Sequence, residues 1–216
     1  MTMVVAVIGG TGKLGGALAA CWAKAGMEVV LGSRDAARAA VAATAMAAAT
    51  GGRVSGASYA EAAAAASLVV MAVPFASQEE VCNAIRPHVR GKLVVDTTVP
   101  LVPPKVMRVQ LPPEGAAALR AQQFLGEGVA VVSAFHNVAA HKIAKGAGGD
   151  CDVLVFGDKK EERQQVVELA AAAGMRGFHA GALANSAAAE ALTSVLIFIN
   201  KHYGVEDGAG IRLVGP

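Results

Sequence analysis

Cysteine, aromatic residues and charge are all sparse in this chain of 216 residues. Its three cysteines, Cys21, Cys82 and Cys151, lie far apart and form no C-x-x-C. That excludes a disulfide framework or a cysteine zinc site, and points to reduced thiols in a cytoplasmic protein. Aromatics make up 4% and charged residues 17%, and the net charge of +2 comes with no basic run. Composition therefore offers no nucleic-acid surface. No apolar stretch reaches membrane-spanning length free of glycine, proline or charge, and the first apolar run lacks the basic lead of a signal peptide. No H-x-x-x-H or carboxylate cluster suggests a metal. No G-x-S-x-G elbow supports a Ser133–His136–Asp triad through Asp150 or Asp152. A Tyr-x-x-x-Lys pair is missing as well, because Tyr59 and Tyr203 have no lysine four residues on. Carbonyl reduction with a tyrosine acid is thus disfavoured.

What is present is apolar: 54% of residues are hydrophobic, many of them alanine, which suits closely packed helices around a large core. The organising stretch is Ile8-Gly9-Gly10-Thr11-Gly12-Lys13-Leu14-Gly15, directly after the apolar run Met3-Val4-Val5-Ala6-Val7-Ile8. It reads as a buried strand, a glycine turn and the start of a helix reaching residue 25. Gly10, Gly12 and Gly15 fit G-x-G-x-x-G: one glycine for the tight turn, one where a pyrophosphate approaches the backbone, one for close helix–strand packing. A helix N-terminus then offers free N–H groups and a positive dipole end to the anion.

A carboxylate is missing where such a unit ordinarily carries one. The second strand, residues 28–32, ends at Gly32-Ser33-Arg34, with Arg38 one helical turn on. This is the position, about twenty residues past the glycines, of the Asp or Glu that binds the ribose hydroxyls of NAD. A hydroxyl and two guanidiniums would instead hold a 2′-phosphate through charge-assisted bonds, so NADP(H) is expected over NAD(H). Asp35 is expected to favour the start of the next helix.

The rest of the chain alternates in the same manner. Helices are expected over residues 36–50, 59–66, 78–85, 115–125, 159–173 and 185–203, and strands over 53–57, 68–73, 92–96, 130–134, 152–157 and 176–180. The class is α/β: a Rossmann-type, doubly wound, mostly parallel sheet with helices on both faces and a small C-terminal helical extension. Residues 1–180 are assigned to the nucleotide-binding domain, and 181–216 to a helix and tail that complete the substrate cleft. The first and fourth strands flank the reversal of strand order, which brings Val73, Pro74 and Phe75 beside the cofactor. A proline-rich loop from Thr97 to about Pro113 follows the fifth strand, and the sixth delivers Phe135-His136-Asn137-Val138. Long loops at strand carboxyl ends are where binding surfaces are expected. The last long helix is too apolar to face water, so it packs into the body or against a second copy in a homodimer.

Taken together, Gly9-Gly10-Thr11-Gly12-Lys13-Leu14-Gly15, Gly32-Ser33-Arg34, Pro74-Phe75, Thr98-Val99-Pro100, Val132-Ser133-Ala134 with His136, Phe156-Gly157-Asp158, and Gly181 through Asn185-Ser186 with Glu190 resemble the F420-dependent NADP reductases. The Steap metalloreductase oxidoreductase domain is similar too. The resemblance implies hydride transfer between NADPH and the deazaflavin coenzyme F420, with Gly9, Gly10, Thr11, Gly12, Lys13, Leu14, Ser33, Arg34 and Arg38 holding NADP. It places Val99, His136, Asn137, Val138 and the C-terminal helix and tail around the ring of the second cofactor. Where the family's F420 enzymes are expected to read His-Thr-Ile-Pro, this chain reads His136-Asn137-Val138-Ala139. Val73, Pro74, Phe75, Val99 and Val138 would wall a dry slot for two facing rings, since the cofactors carry the chemistry. His136 is the one candidate catalytic side chain, as a hydrogen-bond or proton handle. A flavin or pterin acceptor, or a non-catalytic NADP(H)-binding redox sensor, are the alternative readings.

Overall fold

The computed structural model describes residues 3–146 and 150–215. Six parallel strands, β1 (Val4–Ile8), β2 (Glu28–Ser33), β3 (Val54–Ser58), β4 (Leu68–Met71), β5 (Leu93–Asp96) and β6 (Ala130–Ser133), form one sheet in the order β3-β2-β1-β4-β5-β6. The order reverses between β1 and β4, as the alternation of strands and helices requires of right-handed crossovers.

Parallel strands covered on both faces read as unbroken apolar runs, because each face needs its own core. Successive residues here divide accordingly. Val5, Val7, Leu68, Val70, Leu93 and Val95 join α1 (Lys13–Lys24), α6 (Ala140–Ala144) and α7 (Lys160–Ala172) through Leu18, Trp22, Ile143 and Leu169. Ala6, Ile8, Val69, Met71 and Val94 turn to the other face. There they meet α3 (Tyr59–Ala65), α4 (Gln78–Ile85) and α5 (Ala117–Leu125) through Ala62, Val81, Ile85 and Ala121. The lone tryptophan is fully buried and ties α1 to α7, donating from Nε1 to the Leu169 carbonyl at 2.9 Å. Alanine-rich α2 (Ala36–Thr50) is capped by the Asp35 carboxylate, which accepts from the Arg38 N–H, and stops at Gly51 in the left-handed region.

The last third departs from a simple continuation of the sheet. β7 (Asp152–Val155) and β8 (Arg176–His179) form their own two-stranded parallel sheet. The expected strand to residue 157 ends early because Phe156 exchanges both backbone hydrogen bonds with Ser133 in an antiparallel bridge, at 2.8 and 2.9 Å. The tail closes over this small sheet: the Asp152 N–H donates to the Ile211 carbonyl and the Leu213 N–H to Asp152 Oδ2. Pro216 of the expected tail lies outside the described residues. A short α6 was not anticipated from the sequence. Its five residues are too few to show a helical period.

The expected helix from residue 115 begins instead at Ala117, because Gly115 takes φ +90° and a carboxylate from far along the chain completes the N-terminus. Glu190, on α8 (Ser186–Tyr203), accepts from the Ala117 N–H at 2.7 Å and the Ala118 N–H at 3.2 Å. Helix N-terminal N–H groups have no partners of their own, so this contact fixes α8 across α5. The carboxylate is 1% exposed. Its burial outweighs the two hydrogen bonds, and Asp96 adds repulsion, so its pKa is pushed up to about 7.

A carboxyl with a raised folded-state pKa stabilises the fold fully below its unfolded pKa and loses that contribution as pH rises through the folded value. Glu190→Gln should remove this dependence. Chemical denaturation from pH 4.5 to 8 should show the wild type losing up to roughly 3 kcal/mol relative to the variant across the window. Parallel curves would show that Glu190 does not titrate there.

Candidate functional site

The carboxyl ends of β1, β4, β5 and β6 meet at one edge of the sheet, and the predicted site residues gather there. At the glycine turn it is Gly9, with φ +84°, that adopts the left-handed backbone, and a Cβ on it would lie 2.3 Å from the Ala72 carbonyl oxygen. Gly10, expected to supply the turn, instead admits Leu31, whose Cδ2 lies 2.8 Å from where its Cβ would be. Gly15 has the expected packing role, since its Cβ would meet the Gly9 oxygen at 2.6 Å. The end of β4 therefore abuts the turn, and Val73 Cγ1 stands 3.1 Å from the Gly9 Cβ position.

α1 starts at Lys13 behind a Gly12 N-cap, with no acidic residue in its first turn and no side chain capping it. Thr11 is half-buried, and Gly12 and Lys13 are exposed. Open N–H groups, the dipole end and Lys13 make this an anion cradle of pyrophosphate character. Leu14 beside it is half-buried and belongs to the core margin.

At the end of β2, Ser33 is buried while Arg34 and Arg38 are exposed. Among the described residues neither guanidinium has an ion-pair partner, so both are available to an external anion. Ser33 Oγ accepts from the Asp35 N–H at 3.3 Å, which leaves its hydroxyl hydrogen for a ligand. Asp35 caps α2 by accepting from the Arg38 N–H.

Across the crevice, Pro74 is exposed and Phe75 half-buried. The Arg120 guanidinium lies over both the Phe75 and Phe124 rings, 4.9 Å from each centroid. Val99 is half-buried in the loop after β5. The loop after β6 contains the one non-glycine residue with positive φ among the described residues, Phe135 at +65°. Such a conformation is costly for an aromatic residue and persists where surrounding packing imposes it. Here the ring is fully buried, edge-on to Trp22 at 6.1 Å.

His136 follows. It is 6% exposed, with Nε2 3.1 Å from Ser133 Oγ and its backbone carbonyl accepting from Thr193 Oγ1 on α8. Burial lowers its pKa to about 4, so the imidazole is neutral at pH 7 and does not serve there as a proton donor through an imidazolium. The serine–histidine contact resembles a nucleophile pair in distance only. Ser133 is 0% exposed within a strand, where no substrate carbonyl reaches it. Asn137 is buried and faces α8, donating to the Ala189 carbonyl and to Thr193 Oγ1. Val138 is half-buried at the mouth of a cleft of about 210 Å³, bounded by residues 136–141, by Thr193, Leu196 and Asn200 of α8, and by Gly208 and Ala209 of the tail. Larger clefts of about 490 Å³ each open elsewhere, one along the N-terminal ends of β4, β5 and β6. Neither includes the glycine turn, and ligands of doubly wound sheets bind at the opposite, carboxyl end.

Sequence reasoning named Thr98 and Glu190 only as residues of the resemblance and did not join them with Gln78 and Asp96 into the buried polar group that the structure forms between these parts. Asp96 is 0% exposed and Gln78 0% exposed. Asp96 was visible in the sequence as a carboxylate closing an apolar strand, and Glu190 as the single acid in an apolar helix. Ala117, whose peptide links Gln78 to Glu190, has no signature at all. Among the described residues no cluster of His, Cys, Asp or Glu is arranged to hold a metal.

The family model for coenzyme F420-dependent NADP oxidoreductases matches residues 4–100. The F420-dependent NADP reductase of Methanothermobacter thermautotrophicus is 39% identical over 222 residues, covering 99% of this chain and 95% of that protein. The one from Methanocaldococcus jannaschii is 33% identical, covering 98% of each chain. Among solved structures, a candidate F420-dependent NADP reductase from Arthrobacter sp. FB24 superposes with a TM-score of 0.82 at 27% identity, covering 95% of this chain and 96% of that one. A pyrroline-5-carboxylate reductase from Coxiella burnetii, at 16% identity and TM-score 0.60, shares the fold. Similarity of this degree along almost the whole length shows that the chain is a member of the F420-dependent NADP reductase family.

Proposed function

We propose that this protein transfers hydride between NADPH and coenzyme F420, a small-molecule ring substrate seated against the nicotinamide. The observation that carries this reading is the full-length identity to F420-dependent NADP reductases, joined to a site that offers an anion cradle at Gly9–Leu14 and two exposed arginines at the 2′-phosphate position. Family membership favours F420 over a flavin or pterin acceptor and over a non-catalytic sensor.

When bound, the nicotinamide and deazaflavin rings supply the redox chemistry themselves. The side chains orient and dry the site. The N–H groups at the start of α1 and Lys13 hold the pyrophosphate, while Ser33, Arg34 and Arg38 hold the phosphate that distinguishes NADP. Val73, Pro74, Phe75 and Val99 exclude water on one side, and Asn137 and Val138 carry the second-ring wall attached to α8. His136 acts as a neutral hydrogen-bonding group that fixes this loop. Residues 1–180 form the nucleotide-binding part in this reading, and 181–216 close the cleft. The scattered free cysteines fit a cytoplasmic enzyme.

α8 supports a homodimer. Its buried face carries Ser186, Glu190 and Ser194, while Val195, Phe198 and Tyr203 are exposed. Residues 183–203 have the length and hydropathy of a membrane span, yet that inversion, with a buried glutamate at the centre, fits a helix between two protein surfaces better than one in lipid. Val102, Met107, Val109 and Leu111 in the proline-rich loop are exposed too.

Four outcomes are expected. The purified protein should oxidise NADPH with F420 and be far slower with FMN, FAD or NADH, and an absence of F420 turnover would overturn the reading. Arg34→Ala with Arg38→Ala should raise the KM for NADPH by about two orders of magnitude while changing that for NADH little, since each lost charge-assisted bond is worth about 1.5–3 kcal/mol; equal effects on both would remove the arginines from the phosphate site. His136→Gln should keep most turnover where His136→Ala loses about tenfold, and equal losses would argue for imidazole chemistry. Light scattering should give twice the chain mass, with Phe198→Glu shifting it to the monomer.

A further inference from the structure

The loop that faces the nicotinamide and the helix that walls the second ring are joined by one buried polar chain. Asp96, the last residue of β5, accepts at Oδ1 from the Thr98 N–H at 3.0 Å and the Thr98 hydroxyl at 2.5 Å, and at Oδ2 from Gln78 Nε2 at 3.0 Å. Gln78 Nε2 also donates to the Ala117 carbonyl at 2.9 Å. The N–H groups of Ala117 and Ala118 end on Glu190 of α8. The neighbouring Thr97 is held by its own N–H and hydroxyl on the Met71 carbonyl, both at 3.1 Å, at the end of β4.

We propose that Asp96 is a positioning residue for hydride transfer: its carboxylate sets the Thr97–Thr98–Val99 loop against the nicotinamide, and Gln78 and the Ala117 peptide hold that loop in register with Glu190 and α8. This inference rests on the functional reading above. The geometry has a chemical consequence. The Thr98 N–H and the Gln78 amide are fixed donors, and the Thr98 hydroxyl donates to the same carboxylate. An ionised Asp96 satisfies them all. A protonated one brings a further hydrogen into the cluster: the Thr98 hydroxyl can take it only by reversing its bond, and the Thr98 and Gln78 N–H donors lose the charge that strengthens their bonds. Buried networks that are partly satisfied are unfavourable, so the loop is expected to shift when Asp96 gains a proton.

The ionisable and charged groups around Asp96 are few. α8 presents Glu190, which is electrostatically coupled to Asp96. α4 presents Cys82, whose thiol burial and Asp96 push up to about 12, and Glu79. α5 presents Arg120, whose guanidinium reaches Gln78 Oε1 at 3.5 Å and pairs with Glu79 and Glu114. On β6, Ser133 is in register with Asp96 and holds the neutral His136. Burial raises the Asp96 pKa to about 6 against the pull of Thr98 and Gln78. Of these groups, Asp96 is the one hydrogen-bonded to Thr98 among the described residues.

The test uses the full protein with NADPH and F420, and reads kcat, the NADPH dissociation constant and the emission of bound NADPH without acceptor, each from pH 5 to 8 in freshly mixed samples. In the wild type, kcat and the emission should both change with a midpoint near pH 6. Asp96→Asn should abolish the transition near pH 6 in both readouts and lower kcat about tenfold, with NADPH affinity within about threefold, because the phosphate-holding groups lie at the start of α1 and the end of β2, outside the Asp96 cluster. Thr98→Val keeps the fold-defining carboxylate but removes one bond to its ionised form, so its midpoint should move up by about half a unit to one unit. A pH limb belonging to Glu190 or to the F420 ring would persist in Asp96→Asn and lies away from the pH 6 midpoint. Should Asp96→Asn not fold, the Thr98→Val midpoint decides, and an unmoved midpoint overturns the inference. Wild-type kcat and pH profile in Asp96→Asn would overturn it while leaving the F420 reading intact. Loss of F420 turnover in the wild type would overturn that reading, and the NADPH emission transition would still show whether Asp96 governs the loop. Failure to bind NADPH overturns both.

Discussion

The site depends on how closely two stretches of backbone approach at the glycine turn. The Cβ that Gly15 lacks would sit 2.6 Å from the Gly9 oxygen, and the one that Gly9 lacks would sit 2.3 Å from the Ala72 oxygen. Close packing at these points brings the end of β4 against the turn and presses the start of α1 onto it. The helix's unpartnered N–H groups are thereby aimed into the crevice where strand order reverses. Every other part of the site is placed relative to that crevice: the arginines one strand to one side, and the Val73–Phe75 and Val99 wall to the other.

The second half of the site is held by polar contacts buried in apolar surroundings. Asn137 and Thr193 fasten the loop after β6 to α8, and Glu190 fastens α8 to the start of α5. Such contacts contribute less net stability than apolar packing of equal volume, but they tolerate little misregister, because an unmade buried bond is costly. A reaction between two stacked rings has the matching requirement. It needs little side-chain chemistry and close control of ring separation. A buried, neutral His136 within a strained loop suits that role better than an imidazolium open to water would.

The same accounting explains the unusual face of α8. Glu190 and Thr193 turn inward to α5 and the His136 loop, while Val195, Phe198 and Tyr203 are left outward. The cost of that exposure is what a second copy of the chain would relieve.

By itself the sequence determined the class of fold, the succession of strands and helices and the NADP preference, because those follow from local chemistry. Apolar runs of strand length, glycines at fixed spacing and the Ser33-Arg34 pair in place of a carboxylate all act over a few residues. It also marked His136, but its charge state was decided by tertiary burial, which no neighbour in the chain announces. Gly9 rather than Gly10 takes the left-handed turn, and Leu31, from the adjacent strand, fills the space beside Gly10. The separate β7–β8 sheet follows from a bridge between Ser133 and Phe156. Helix α5 starts at Ala117 because Glu190, 73 residues on, supplies its cap. The Asp96–Gln78–Thr98 group exists only once α4, β5 and α5 have met, since hydrogen-bond partners distant in sequence leave no period or motif to read.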